Sequence, residues 1–166
     1  MFAETIILVE GATEYFSIPI YLKNAGFSLA EHGIEIIDCR GKDSIPLYWR
    51  LFNAYGYRCF AIFDCDRNSD KTKDVFSGIF DNEWQTASSV CEVANEYAYF
   101  GKDLETYLRS VVNGYEELEK EVSETYQITS KPGKAKAVAQ HLEIVPEFIE
   151  DIIKCLNDTR ETVKDE

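Results

Sequence analysis

Thr5-Ile6-Ile7-Leu8-Val9-Glu10-Gly11-Ala12-Thr13-Glu14 is the stretch on which the fold turns. Five apolar or β-branched residues read as a short buried strand, Glu10-Gly11 as a tight turn, and residues 12–24, closed by Gly26, as a helix. Pro19 lies inside that helical pattern and is expected to kink it or to mark its true beginning. The same order recurs downstream. Residues 33–39 (GIEIIDC) read as a strand, 40–43 as a loop containing Gly41, and 44–55 as a helix with Ser44 as its cap and Pro46 in its first turn, closed by Gly56. Residues 57–63 (YRCFAIF) form a third strand suited to burial on both faces, and it runs straight into Asp64-Cys65-Asp66. Three strand–helix units in series imply an α/β domain built on a parallel sheet.

The rest of the chain is expected to add one strand and several helices. Residues 67–73 read as a polar loop, a helix is expected around 86–94, and 96–100 (EYAYF) suits a fourth strand. Leu104, Tyr107, Leu108 and Val111 recur at three- and four-residue spacing and predict a helix over 102–112. Two more helices are predicted at 133–142 and 146–156, followed by a frayed end.

Composition narrows the function classes. With 166 residues, 45% of them hydrophobic, the chain can bury one proper core. A net charge of -13 argues against a protein that grips nucleic acid with a broad basic surface of its own. Much of that acidity lies in 115–124 and 143–166, where a solvated helix face and a soluble tail account for it. Five cysteines, odd in number and without paired zinc-ligand spacing, read as reduced thiols, with Cys39 and Cys59 acting as small hydrophobes inside strands. His32 and His141 lack a ligand pattern and read as surface residues, and the ten tyrosines as packing. No run reaches the roughly 18 to 20 apolar residues of a membrane span, and no signal peptide is visible, so a soluble, cytoplasmic chain is expected.

Ligands of a parallel α/β sheet gather beyond the carboxyl ends of its strands. Glu10 ends the first strand, and Glu14, four residues on, can project back over the same edge from the first helical turn. Asp64 and Asp66 leave the third strand on the same side as each other, since side chains two apart share a face. Carboxylates crowd together at a cost unless a cation neutralises them, and an all-oxygen set suits Mg²⁺, with Mn²⁺ or Ca²⁺ as substitutes. A single Asp-x-Asp is commonly a polar turn; two acidic motifs at strand ends, one strand–helix unit apart, carry more weight.

Residues 7–14, Gly41-Lys42 and Ala61-Ile62-Phe63-Asp64-Cys65-Asp66 together resemble the Toprim fold of topoisomerases, primases and several nucleases, over roughly residues 4–140. The Val-Glu-Gly-x-Thr-Glu wording is similar to the OLD (overcoming lysogenization defect) family, which joins an ABC-type ATPase to a C-terminal Toprim nuclease. The resemblance implies a Rossmann-like sheet of about four mainly parallel strands flanked by helices, with a nuclease domain at 1–142 and a C-terminal helix and tail at 143–166. It further implies a divalent-metal-dependent DNA endonuclease with a two-metal mechanism. Glu10, Glu14, Asp64 and Asp66 carry over as metal ligands, joined by Asp103 and Glu105 from a later acidic motif. Glu10 is also carried over as catalytic, together with a lysine of the 131–134 segment. Gly133 ahead of a predicted helix favours Lys134, leaving Lys131 and Lys42 as weaker phosphate contacts. Asp103 and Glu105 have a plain alternative, as the cap and first-turn charge of a helix.

No Gly-x-x-x-x-Gly-Lys-Ser/Thr loop occurs, so the ATPase is not in this chain, and an excised nuclease domain or a standalone relative are both open. DNA is the expected partner, gripped mainly by another part of the protein or by a dimer partner. The rival readings are a non-catalytic Toprim module that binds DNA or a protein, and a receiver- or phosphatase-like phosphoryl-transfer domain.

Overall fold

The computed structural model describes residues 4–158. The chain runs β1 (Thr5–Val9), α1 (Ala12–Asn24), β2 (Ile34–Asp38), a 3-10 turn (Lys42–Ser44), α2 (Ile45–Ala54), β3 (Arg58–Asp64), α3 (Ser69–Phe76), β4 (Cys91–Val93), β5 (Tyr97–Phe100), α4 (Leu104–Val111), α5 (Tyr115–Thr125), α6 (Lys131–His141) and α7 (Glu147–Asp158). One five-stranded sheet has the order β2-β1-β3-β5-β4. β1 lies between β2 and β3, with Val9 opposite Asp38 and Ile62; all pairs are parallel except β4–β5. The α/β class and the mainly parallel sheet are as the strand–helix order implies, with one strand more than expected.

Alternation along the strands splits the core into two layers. Ile7, Val9, Phe60, Ile62, Ala98 and Phe100 face α1, α4, α5, α6 and α7. Ile6, Leu8, Cys59, Ala61, Phe63 and Tyr99 face α2, α3 and the loop carrying Phe80 and Trp84. Both faces of the central strands are therefore dry, which is why β1 and β3 read as unbroken apolar runs. The helix expected after residue 142 lies in the first layer, where Phe148, Ile149, Ile152 and Leu156 are buried, and Arg58 donates to the carbonyls of Cys155 and Leu156 at its end. The last eight residues of the expected tail lie outside the described residues.

Four local expectations are corrected. The helix expected around 86–94 is instead a loop leading into β4, because the Glu92 carboxylate accepts from the hydroxyls of Tyr97 and Tyr99 and from Asn82, holding the β4–β5 hairpin. The polar segment at 67–73 is not all loop: Asn68 caps α3 by accepting from the Lys71 amide, and Thr72 and Phe76 are buried. α6 begins two residues earlier than Gly133, since Ser130 caps it and Pro132 fits its first turn. Pro19 does not start α1; the helix runs through it from Ala12.

Candidate metal centre

Because β1, β2, β3 and β5 are parallel, their carboxyl ends share one edge, and backbone pairing continues past the strands there. The Glu10 amide donates to Ile62 O (3.1 Å) and Gly41 N to Glu10 O (2.7 Å). Cys65 N donates to Phe100 O (2.8 Å) and Asp66 N to Lys102 O (3.0 Å). These bonds bring the ends of four strands, and with them Glu10, Lys42, Asp64 and Asp103, onto one platform.

α1 starts directly above it. Glu14 sits at its third position and reaches back to accept from the Gly11 amide (3.2 Å), half of a capping box. Glu10 Oε2 accepts from the Asp64 amide (3.0 Å), tying the two acidic motifs together. Asp64 is only 8% exposed, and its Oδ1 is buried with no hydrogen-bond partner. Glu105, in the first turn of α4, is 2% exposed. Lys131 Nζ stands 3.1 Å from Glu105 Oε2, yet neither Glu105 oxygen has an aligned hydrogen bond, so the contact is ionic rather than directional.

These environments disfavour negative charge. Burial, then the charges of Glu10 and Glu105, push the Glu14 carboxyl up to about 8 against the pull of its own helix amide and Lys131. Burial, reinforced by Glu14, Glu10, Glu105 and Asp103, holds Asp64 well above the usual carboxylate range. Glu10 is raised by burial, with the Asp64 amide and Lys42 opposing; Glu105 is raised by burial, with Lys131 opposing. Four carboxylates that mutually resist ionisation, with orphaned oxygens among them, form a hard-oxygen donor set short of positive charge. In donor chemistry the residues fit a divalent cation. Their spacing is looser: among the described residues no group of three or more Asp, Glu, His or Cys is close enough to hold an ion as it stands.

The remaining candidates are placed differently from one another. Asp103 caps α4, accepting from the Thr106 amide (2.8 Å); burial raises its carboxyl, but the Thr106 bonds and the charges of Lys131 and Lys102 outweigh this and lower it. Asp66 does not share the face of Asp64. The strand ends at Asp64, and Asp66 and Arg67 adopt left-handed φ of 53° and 58°, so the two-residue alternation no longer applies. Asp66 Oδ2 is instead 2.7 Å from Lys42 Nζ. Lys42, expected as a loop lysine able to approach a phosphate, is buried with its ammonium committed to Asp66 and to the Asp64 carbonyl. Of the two candidate lysines among the three on α6, Lys131 is the one that meets the acidic group, while Lys134 is half-buried one turn further on.

Two residues beside Glu105 escaped the sequence reading, which treated tyrosines as packing. The hydroxyls of Tyr21 and Tyr115 are buried without a hydrogen-bond partner, and both are raised by burial with Glu105 adding to the effect. No linear spacing links positions 21, 105 and 115. All five cysteines are free thiols; Cys65 is buried, with Sγ 3.6 Å from Thr72 Oγ1. His32 and His141 bond carbonyls of their own local turns, at Ser28 and Ala137.

Residues 1–66 match the model of the family described as overcoming lysogenization defect protein-like, TOPRIM domain. Among solved structures, the C-terminal region of the Burkholderia pseudomallei OLD protein is similar with a TM-score of 0.68 at 20% identity, covering 98% of this chain and 100% of that one. The C-terminal region of the Xanthomonas campestris pv. campestris OLD protein is similar with a TM-score of 0.67 at 20% identity, covering 99% of each chain. No curated protein matches. Residues 1–66 are thus similar to the TOPRIM domain of OLD-like proteins, and the chain as a whole has a Toprim-like fold similar to that of the C-terminal region of OLD proteins.

Proposed function

We propose that this chain is the nuclease part of a divalent-metal-dependent DNA endonuclease, hydrolysing phosphodiester bonds at the carboxylate group formed by Glu10, Glu14, Asp64 and Glu105. The observation that carries the reading is the buried, unpartnered Asp64 Oδ1, in a group with the buried Glu105 carboxylate, whose one charged contact is the ion pair of Oε2 with the largely exposed Lys131. Such atoms cost free energy unless a ligand completes them. Mg²⁺ held by Glu14, Asp64 and Glu105 would neutralise their charge and polarise a phosphoryl oxygen.

The protein's own groups divide the remaining work. Glu10, with its carboxyl raised by burial, accepts the proton released as water adds to phosphorus, while the bridging P–O bond breaks and the departing sugar oxygen takes a proton from solvent. Lys131, whose side chain is largely exposed, holds Glu105 at one end and offers its ammonium to the phosphate. We assign it the catalytic role that helix-start reasoning gave to Lys134, which keeps only its place in the first turns of α6 in its favour. Asp103 and Lys102 order the start of α4 and so the direction of Glu105.

With a net charge of -13, DNA affinity comes mainly from elsewhere: an ABC-type ATPase region of a full-length protein or a second copy of the chain. The test is incubation with supercoiled, nicked and linear DNA in Mg²⁺ or Mn²⁺. Nicking by the natural chain and none by Asp64→Asn is expected. Absence of cleavage together with absence of metal binding would overturn the reading. Normal DNA binding by Asp64→Asn, with no cleavage by either protein, would support a non-catalytic Toprim module, the reading that the loose ligand spacing favours.

A further inference from the structure

Lysine is rarely buried, and a buried ammonium stays charged only where it is paired and hydrogen-bonded. Lys42 is 4% exposed, and its Nζ donates at 2.7 Å to the Asp64 carbonyl and at 2.7 Å to Asp66 Oδ2. We propose that Lys42 is a fixed cation on the Asp66 arm of the site, so that the chain takes one divalent ion, on the Glu14, Asp64 and Glu105 side, in place of two. The proposal rests on the metal-dependent reading above and revises the ion count that the family resemblance implies.

Three features hold the ammonium where it is. Its backbone is pinned, because Gly41 N is bonded to Glu10 O, Ser44 N closes the 3-10 turn on Gly41 O (3.1 Å), and α2 begins at Ile45. Gly41 itself stands at φ 130°, where a side chain would be strained, so the approach of residue 42 to the sheet edge is built into the turn. Asp66 is equally constrained: its left-handed turn is tied by its own amide to Lys102 O and by Asn68 N to Cys65 O (2.9 Å). Its 56%-exposed carboxylate is therefore directed at Lys42 and not across to Asp64 Oδ1.

The two sides of Glu10 thus differ in charge balance. Toward Asp66 an ammonium is already present, and a divalent ion placed there would face like charge at short range. Toward Glu14 and Glu105, three buried carboxylates, counting Asp64, face one ammonium, that of Lys131, whose side chain is 61% exposed and can turn to solvent where Lys42 cannot, and the orphaned Asp64 Oδ1 lies on that side. Lys42 acts through the site's charge and is a positioning residue; it touches no reacting atom.

The experiment is Mn²⁺ titration of the natural chain by calorimetry, with electron paramagnetic resonance of the loaded protein, and of two variants checked for folding by circular dichroism. One ion per chain with an uncoupled spectrum is expected, and two ions with spin coupling would overturn the proposal while leaving the metal site standing. Asp66→Asn is expected to leave Mn²⁺ affinity unchanged; weakening of about tenfold or more, the loss typical when a ligand or its support is removed, would overturn it. Lys42→Met is expected to admit a second ion beside Asp66, and a folded variant that still takes one overturns the exclusion. Should that variant fail to fold, the stoichiometry of the natural chain and the Asp66→Asn affinity decide. No Mn²⁺ uptake by the natural chain overturns both this proposal and the metal-dependent reading.

Discussion

Glu14 and Lys131 show how much of this site is settled by single side chains. Glu14 titrates near 4.5 when unfolded and is pushed up to about 8 in the fold, so between those values the folded chain holds more protons than the unfolded one. Its contribution to stability is complete below about pH 4.5 and is lost as pH rises through 8, and raised Asp64 acts in the same direction. Asp103, lowered in the fold, contributes with the opposite slope, but only below its usual range and so outside this window. Thermal denaturation in a chelator should therefore give a falling melting temperature from pH 5 to pH 8, a shallower fall in Glu14→Gln, and recovery at pH 8 when Mg²⁺ is added. A rising or flat profile would mean that Glu14 is not held protonated. For Lys131, substitution by Met should lower cleavage by about 10²-fold, the usual cost of losing one charge-stabilising donor, whereas Lys134→Met should retain most activity. The reverse ranking would restore the assignment made from the helix start alone.

At the scale of elements, legibility followed locality. β1, β3 and the start of α1 were readable because both sheet faces are buried and the apolar runs are continuous; Glu10, Glu14 and Asp64 inherit their positions from those strand ends. Asp66 was misread because a strand rule was applied past the last strand residue, into a left-handed turn that no alternation describes. β4 was missed because its stability comes from Glu92 bonding to residues five and seven positions away on β5 and to Asn82, not from its own three residues. Lys131 was ranked behind Lys134 because Gly133 was read as opening α6, whereas Ser130 caps it. That cap is testable: Ser130→Ala should cost about 1 kcal/mol in chemical denaturation and should weaken cleavage as well, since Lys131 is the first residue it positions. Gly101 is a second element-level constraint. A Cβ there would lie 2.3 Å from Ala87 O and 2.9 Å from Gln85 O, so Gly101→Ala should destabilise by roughly 1–3 kcal/mol and displace the neighbouring Lys102-Asp103 turn. A neutral result would show that the 85–87 loop yields without consequence.

For the whole molecule, the fold gathers a small positive group at an acidic site within an acidic chain. No helix among the described residues is long and apolar enough to cross a membrane. With few cations near the site, the isolated chain should bind DNA weakly, with a shallow dependence on salt that corresponds to few phosphate contacts. Fluorescence anisotropy across a salt series checks this, and a steep slope would locate a basic surface in this chain after all. A divalent-cation site at the edge shared by β1, β3 and α4 is tested most directly by an anomalous difference map from a Mn²⁺-soaked crystal. One peak is expected at roughly 2.0–2.6 Å from oxygens of Asp64, Glu14 and Glu105, the range of hard-cation coordination. A map with no peak among these carboxylates, at Mn²⁺ concentrations that populate other sites, would contradict it.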